Sequence, residues 1–192
     1  TDGGFNWIVR IGNQDFAGTN GFSAVATDAA GYVYAAGHTT LAGQPCNVAV
    51  YQAGGVTYGT NLQGRTDAFV VKLTPGGAIV WRRYLGGAGA DRATACMVAP
   101  DGKVYVGGET MSPGWASLPS GTPGASNPSG FLVKLNPDGS HVWSSFLDGS
   151  AQDAVTALAY DTATGSVCVG GRTLSADFRA GDPRLNSHPG GT

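Results

Sequence analysis

The sequence predicts an all-β protein assembled from repeated four-stranded antiparallel meanders, and three observations carry that prediction. Turn-forming residues are abundant, with 32 glycines and 10 prolines in 192 residues, a larger share than an average globular chain holds. Residues favoured on exposed helix surfaces are scarce: three Lys and a single Glu stand against twelve Asp, and Asp belongs in turns where Glu and Lys belong in helices. The chain also repeats itself, since "DAFVVKLTPGGAIVW" at 67–81 returns as "SGFLVKLNPDGSHVW" at 129–143.

Each repeat opens on a tryptophan. Trp7, Trp81 and Trp143 each stand four residues after a glycine, Gly3, Gly77 and Gly139. In the second unit the tryptophan heads a first apolar strand, "WRRYL" (81–85). The second strand, "ATACMV" (93–98), aligns Thr94-Ala95 with Ser23-Ala24 and Thr156-Ala157, and Asn20, Asp91 and Asp153 precede these pairs at a fixed distance. The third strand belongs to the series "GYVYAAGHT" (31–39), "GKVYVGGET" (102–110) and "GSVCVGGRT" (165–173), each closing on Gly-x-Thr at Thr39, Thr110 or Thr173. The fourth is "FLVKL" (131–135), matched by "FVVKL" at 69–73. Period-two alternation within the runs, and Gly, Pro or Asp between them, is the signature of strands joined by tight turns. Counted this way the units run over about 7–76, 77–138 and 139–192, the last lacking its final strand.

A single four-stranded meander cannot bury both of its faces, but several stacked about an axis can, which is the geometry of a β-propeller blade. The aligned Ala24, Ala95 and Ala157 suit the crowded region near such an axis. Closed propellers hold roughly four to eight blades, so residues 1–192 are expected to form a partial propeller completed by the remainder of the same polypeptide or by other protein chains. The opening "TDGGFNW" matches "PGGAIVW" and "PDGSHVW", and the third unit stops before its "FVVKL"-type strand. The chain therefore reads as consecutive units of a longer array.

At these residues the chain resembles the β-propeller repeat family known as SBBP repeats, whose pattern couples an Asp-Ala-Phe-Val-x-Lys-Leu-x-Pro-x-Gly run to a Trp, a Leu-Gly-Gly, an Asp and a Gly-x-Val-Tyr-Val-x-Gly-x-Thr. Here "DAFVVKLTPGG", Trp81, "LGGAGAD" and "PDGKVYVGGET" match it. The likeness covers nearly the whole chain outside 40–66 and 111–129. It departs at "SFLDGSAQD", which loses the paired glycines, and at "IGNQDFAGTN", which carries Asn20 instead of Asp. Members of that family are mostly secreted or surface-exposed, so the resemblance implies an extracellular or cell-surface location.

A formal charge of −2 and a pI of about 5.8 give no electrostatic reason to expect nucleic acid or an anionic membrane as partner. No apolar run approaches the ~20 residues of a membrane-spanning helix. Cys46, Cys96 and Cys168 are odd in number and show neither CxxC pairing nor His at zinc-ligand spacing. A metal cluster is not expected of them, while one disulfide and buried free thiols stay equally open.

Asp91 and Asp153 follow Gly-containing loops and precede strands, which assigns them to hydrogen bonds with loop N–H groups or with a threonine such as Thr110 or Thr173. Lys72 and Lys134 recur within strands and read as structural, with their stems on apolar neighbours. "LGGAGAD" (85–91) lacks the Gly-Lys-Ser/Thr and the following helix of a phosphate loop. His38, His141 and His188 sit in unrelated contexts, and no nucleophile motif accompanies them. Gly-x-x-x-Trp also occurs in propellers that hold pyrroloquinoline quinone, but the acidic, amide and aromatic groups of such a site are not found together here. Recognition is expected on the two long inserted segments, which carry Tyr58 and Trp115. Trp115 could serve as an exposed anchor for a sugar or protein, or fold back as a plug over the blade edge.

The sequence is thus read as a non-catalytic extracellular propeller scaffold that mediates protein–protein assembly or adhesion, with no cofactor. A carbohydrate-binding propeller using Trp115 and Tyr58 is the alternative, and a quinone-cofactor enzyme the third reading.

Overall fold

The computed structural model describes residues 20–40, 51–53, 56–58, 66–113, 115 and 127–178. Trp7, Cys46 and His188 lie outside them. Twelve strands and no helix occur among the described residues. Strands β1 (Asn20–Thr27), β2 (Val33–Thr39), β5 (Asp67–Leu73) and β6 (Ile79–Leu85) form a first antiparallel sheet in the order β1-β2-β5-β6. Strands β7 (Asp91–Val98), β8 (Val104–Thr110), β9 (Ser129–Leu135) and β10 (His141–Leu147) form a second, each pairing with its neighbour in sequence. A third sheet holds β11 (Asp153–Asp161) and β12 (Ser166–Thr173). Between β2 and β5 a short hairpin pairs β3 (Tyr51–Ala53) with β4 (Val56–Tyr58).

Four of the hairpins share one turn, while the one joining β11 to β12 closes with Gly165 N–H on Asp161 O at 2.9 Å. In 136–140, Asn136 N–H donates to Ser140 O at 2.8 Å and Gly139 N–H donates to Asn136 O at 2.9 Å, while Gly139 holds φ at +78°. The same pair of bonds closes the turns at 28–32, 74–78 and 99–103. This is a tight turn whose last residue must be left-handed, a conformation open to Gly at no steric cost. The sequence signals Pro-Asp-Gly and Pro-Gly-Gly encode it directly.

Each sheet's first strand carries one bulge, between Phe22 and Ala24, Ala93 and Ala95, and Val155 and Ala157. The extra residue is the Ser or Thr of the aligned pairs, and the bulge explains the glycine of Gly-x-Thr. A Cβ placed on Gly108 would lie 1.9 Å from Arg92 O, and one on Gly37 1.8 Å from Gly21 O. A bulged strand bends toward its partner, and only a residue without a side chain tolerates that approach.

The sheets take a different frame from units counted from the tryptophans. Trp81 lies on β6, which pairs with β5, so its strand closes the first sheet instead of opening the second. The meander expected over 81–135 is thus divided after its first strand. Periodicity specifies the spacing of strands, but the break between sheets is set where Asp91 N–H turns away to Thr66 O at 2.7 Å. Asp153 N–H repeats this with Pro128 O at 2.9 Å.

The sheets stack through apolar faces. Tyr34, Ala36, Val70, Trp81 and Leu85 of the first sheet meet Val104, Val106, Phe131, Val133 and Phe146 of the second in one buried cluster. The opposite face of the second sheet, with Met97, Tyr105 and Leu132, meets Leu158, Tyr160 and Val167 of the third. Full burial of each large side chain contributes about 1.5–3 kcal/mol, so these layers supply most of the cohesion between sheets. The first strands of the second and third sheets lie across the preceding sheet: β7 against β1, β2 and β5, and β11 against β7, β8 and β9.

Candidate functional site

Two polar constellations join one sheet to the next; the first recurs in full outline, and of the second the aromatic and lysine base recurs. The first surrounds Asp91, which is fully buried. Its carboxylate accepts the hydroxyl hydrogens of Thr110 and Ser112, the latter at 2.7 Å, and the N–H of Gly87 at 3.0 Å. Ser112 Oγ in turn accepts Gly89 N–H at 2.8 Å, and Thr110 Oγ1 accepts Ser112 N–H at 3.0 Å. Burial pushes the Asp91 carboxyl above the ordinary carboxylate range, and the bonds from Thr110, Ser112 and Gly87 oppose that shift. Gly87 N–H on the carboxylate and Gly89 N–H on Ser112 Oγ tie the loop 86–90 to Asp91 and Ser112.

The arrangement around Asp153 is its copy. Gly149 N–H and Ser175 O–H both reach its Oδ2 at 2.8 Å, and Ser175 Oγ accepts Ala151 N–H at 2.8 Å. Thr173 Oγ1 accepts Ser175 N–H at 3.0 Å, as Thr110 does from Ser112. Its own hydroxyl reaches Ser175 O at 3.5 Å instead of the carboxylate, and Asp153 Oδ1 has no partner among the described residues. In the first sheet Thr39 pairs with Asn20 in the ladder. The serines escaped the sequence reading, although Thr-x-Ser at 110–112 and 173–175 was a usable signal. The first copy, which has Asn20 for the Asp, also has Leu41 where the serine would stand.

The second constellation clasps a turn. Trp81 is 5% exposed. Its indole N–H donates to Pro137 O at 3.0 Å, and Lys72 Nζ donates to the same oxygen at 3.3 Å. Arg83 Nε–H donates to Gly139 O at 2.8 Å, and a Cβ on Gly139 would lie 2.8 Å from the Trp81 ring. Beneath the clasp, Tyr34 packs edge-on to Trp81 at 6.0 Å and lies 5.1 Å from Lys72 Nζ. The second sheet carries the same base: Tyr105 is edge-on to Trp143 at 6.2 Å and 5.2 Å from Lys134 Nζ.

Trp115 is a plug and offers no exposed face. It is 3% exposed, edge-on to Phe131 at 5.1 Å and to Phe146 at 5.7 Å, and its indole N–H donates to Thr110 Oγ1 at 2.9 Å. Of the two readings open for it, exposed anchor or plug, the burial of the indole and its contacts with Phe131, Phe146 and Thr110 fit the plug. Tyr58 lies on β4, paired with Tyr51. His38 lies 3.3 Å from an Arg92 nitrogen, and burial followed by that charge lowers its pKa. Burial also lowers that of His141. An ion pair at 3.1 Å joins Arg172 of the third sheet to Glu109 of the second.

Cys96 and Cys168 are free thiols, and burial pushes the Cys96 thiol up to about 12. No group of three or more His, Cys, Asp or Glu among the described residues could hold a metal ion. An apolar groove of about 400 Å³ runs over Phe22, Val25, Val33, Ala35 and Leu73 on the far face of the first sheet, where Phe22 and Val25 are 47% and 68% exposed. A shallower hollow of about 700 Å³ crosses the turns at 27–30 and 98–102 and reaches Tyr160 and Thr162. The Asp28 and Asp101 carboxylates there accept N–H groups of their own turns. No helix among the described residues is long and apolar enough to cross a membrane. No family model matches the chain, and no curated protein matches it.

Proposed function

We propose that the chain is a run of β-propeller blades that serves as a non-catalytic scaffold, mediating protein–protein assembly in an extracellular or cell-surface structure. The observation that carries this reading is the head-to-tail order of the faces. The first sheet gives its Tyr34–Trp81 face to the second, and the second gives its Tyr105–Trp143 face to the third. Packing of one face on the other, repeated, produces a ring when the rotation closes and an open stack when it does not. Small residues recur at one place in the first strand of each sheet, at Ala24, Ala95 and Ala157, as a crowded propeller axis would require. The recurring Asp91 and Asp153 carboxylates hold loops and Trp115 is buried as a plug, which supports a scaffold more than a catalyst or a lectin.

The test is electron microscopy of the polypeptide extended by its adjoining repeats, together with protease accessibility on intact cells. A ring of four to eight blades on a surface-exposed protein supports the reading. An open superhelical stack, a protein shielded inside the cell, or stoichiometric quinone in the purified material overturns it.

A further inference from the structure

Strand β12 has the sequence of a central strand and the position of an edge. Its run "SVCVGGRT" matches "VYAAGHT" of β2 and "VYVGGET" of β8. Both of those pair on two sides, β2 with β1 and β5, and β8 with β7 and β9, and both are almost wholly buried. Among the described residues β12 pairs with β11 alone, and it is exposed along nearly its whole length. Natural edges are commonly blunted with Lys, Pro or a bulge. This one offers Val167, Cys168 and Val169, with a single charge at Arg172.

The half-buried Trp143 lies on the face of the second sheet that contacts the third, and packs against the same buried cluster as Val167 of β12. Its base of Tyr105 and Lys134 reproduces that of Trp81 to within 0.2 Å of ring separation, 6.2 against 6.0 Å. At the equivalent place in the first sheet, Trp81 and Lys72 hold the carbonyl of Pro137, in the turn that joins the third and fourth strands of the next sheet.

We infer that the β12 edge and the Trp143–Lys134 saddle together form a docking site for one β-hairpin with a Pro-x-Gly turn, supplied by a further repeat of this array. The inference rests on the repeat reading above and names the partner it requires. The hairpin's first strand adds to β12 in the register that β9 keeps with β8, placing a Leu opposite Val167, a Lys opposite Cys168 and a Val opposite Val169, by analogy with Leu135, Lys134 and Val133. Its proline carbonyl accepts the Trp143 indole N–H and the Lys134 ammonium. Its glycine, left-handed, lies flat on the indole ring, where a side chain would collide. Ser145 stands where the first clasp has Arg83, so this saddle binds through two donors instead of three. Added strands draw affinity from main-chain bonds and specificity from side-chain pockets, and both elements are present here.

The test uses the full chain and a synthetic, fluorescently labelled peptide of residues 67–85, which carries the hairpin and turn. Saturable binding is expected by anisotropy. It should weaken about tenfold for a peptide with Gly77→Val and for protein with Trp143→Ala, with Trp143→Phe intermediate because the ring is kept and the donor lost. The Trp143 indole N–H resonance should shift on binding. Absence of binding, equal binding of a scrambled peptide, or equal binding to the Trp143→Ala protein overturns the inference. So does sedimentation as a dimer that is cross-linked through Cys168, which would show β12 pairing with a second copy. The ring and the docking site fail separately: an extended array that stacks without closing, while the peptide still binds, removes the ring and keeps the site.

Discussion

Replacing Asp91 tests whether the loop lock is as structural as its geometry requires. Ala at this position removes the acceptor of three donors at once: Gly87 N–H, Ser112 O–H and Thr110 O–H. An unpaired buried donor costs about 1–3 kcal/mol, but the two hydroxyls can rotate and Gly87 is only half-buried, so water can reach it. The net cost expected for Asp91→Ala is therefore about 2–4 kcal/mol. Asn keeps one oxygen for Gly87 and Ser112, yet its amide then faces Thr110 Oγ1, whose lone pairs already accept Ser112 N–H and Trp115 Nε1–H. It also removes the buried charge, so Asp91→Asn should cost about 1–2 kcal/mol. Urea unfolding followed by tryptophan fluorescence, with an unchanged slope, reads these values. The pH dependence is opposite to that of a salt-bridged carboxylate. Because burial raises the folded-state pKa, the folded protein holds this proton more tightly than the unfolded chain does. The group's contribution is greatest below its unfolded value near 3.8 and is lost as pH rises through the folded value. Wild type should thus gain on Asp91→Asn as pH falls from neutral toward that range. An Asp91→Ala protein within about 0.5 kcal/mol of wild type, or a gap that widens with rising stability of wild type at higher pH, would refute the lock.

Three further outcomes follow from the geometry. Gly108→Ala forces a Cβ to 1.9 Å from Arg92 O and 2.8 Å from Phe131 and should cost about 3 kcal/mol or prevent folding; Gly76→Ala, whose nearest neighbour is Thr74 Oγ1 at 3.8 Å, should stay within about 0.5 kcal/mol in the same denaturation assay. Trp115→Ala should lower stability by about 3–5 kcal/mol and Trp115→Phe by about 1 kcal/mol, the worth of the bond to Thr110, with thermal unfolding as the readout. In native protein Cys168, which is exposed, should react with a thiol reagent while Cys96 stays silent until denaturant is added, as mass spectrometry of labelled peptides would show.

Sequence legibility followed the range of the interaction. The hairpin turns are set within five residues, so Pro-Asp-Gly and Pro-Gly-Gly located them, and period-two alternation located β7, β8 and β9. The frame of the sheets was not legible, because whether Trp81's strand pairs with β5 or β7 is decided by Asp91 N–H reaching Thr66 O across 25 residues of chain. Gly-x-Thr was visible as a repeat, but its cause was not: the glycine answers a bulge on a different strand, signalled only by the Ser or Thr before Ala24, Ala95 and Ala157. Trp115 could be read either way since a lone indole in a Pro- and Ser-rich segment looks the same whether it meets a ligand or Phe131.

The two constellations act at opposite ends of β5, and this division gives each a separate task. The Asp locks sit beside the starts of β5 and β9, where Asp91 and Asp153 take main-chain carbonyls from the preceding sheet. The tryptophan clasp sits beyond the end of β5, where Lys72, Trp81 and Arg83 grip the turn after β9. Apolar layers between them set the distance of neighbouring sheets but, being non-directional, leave them free to slide. Directional bonds at both ends remove that freedom, as paired polar groups do when they fix a register in an otherwise uniform interface. A sheet held at both ends can transmit one orientation to the next with little scatter. That is what an array must do if its geometry, not a reactive group, is the product of its sequence.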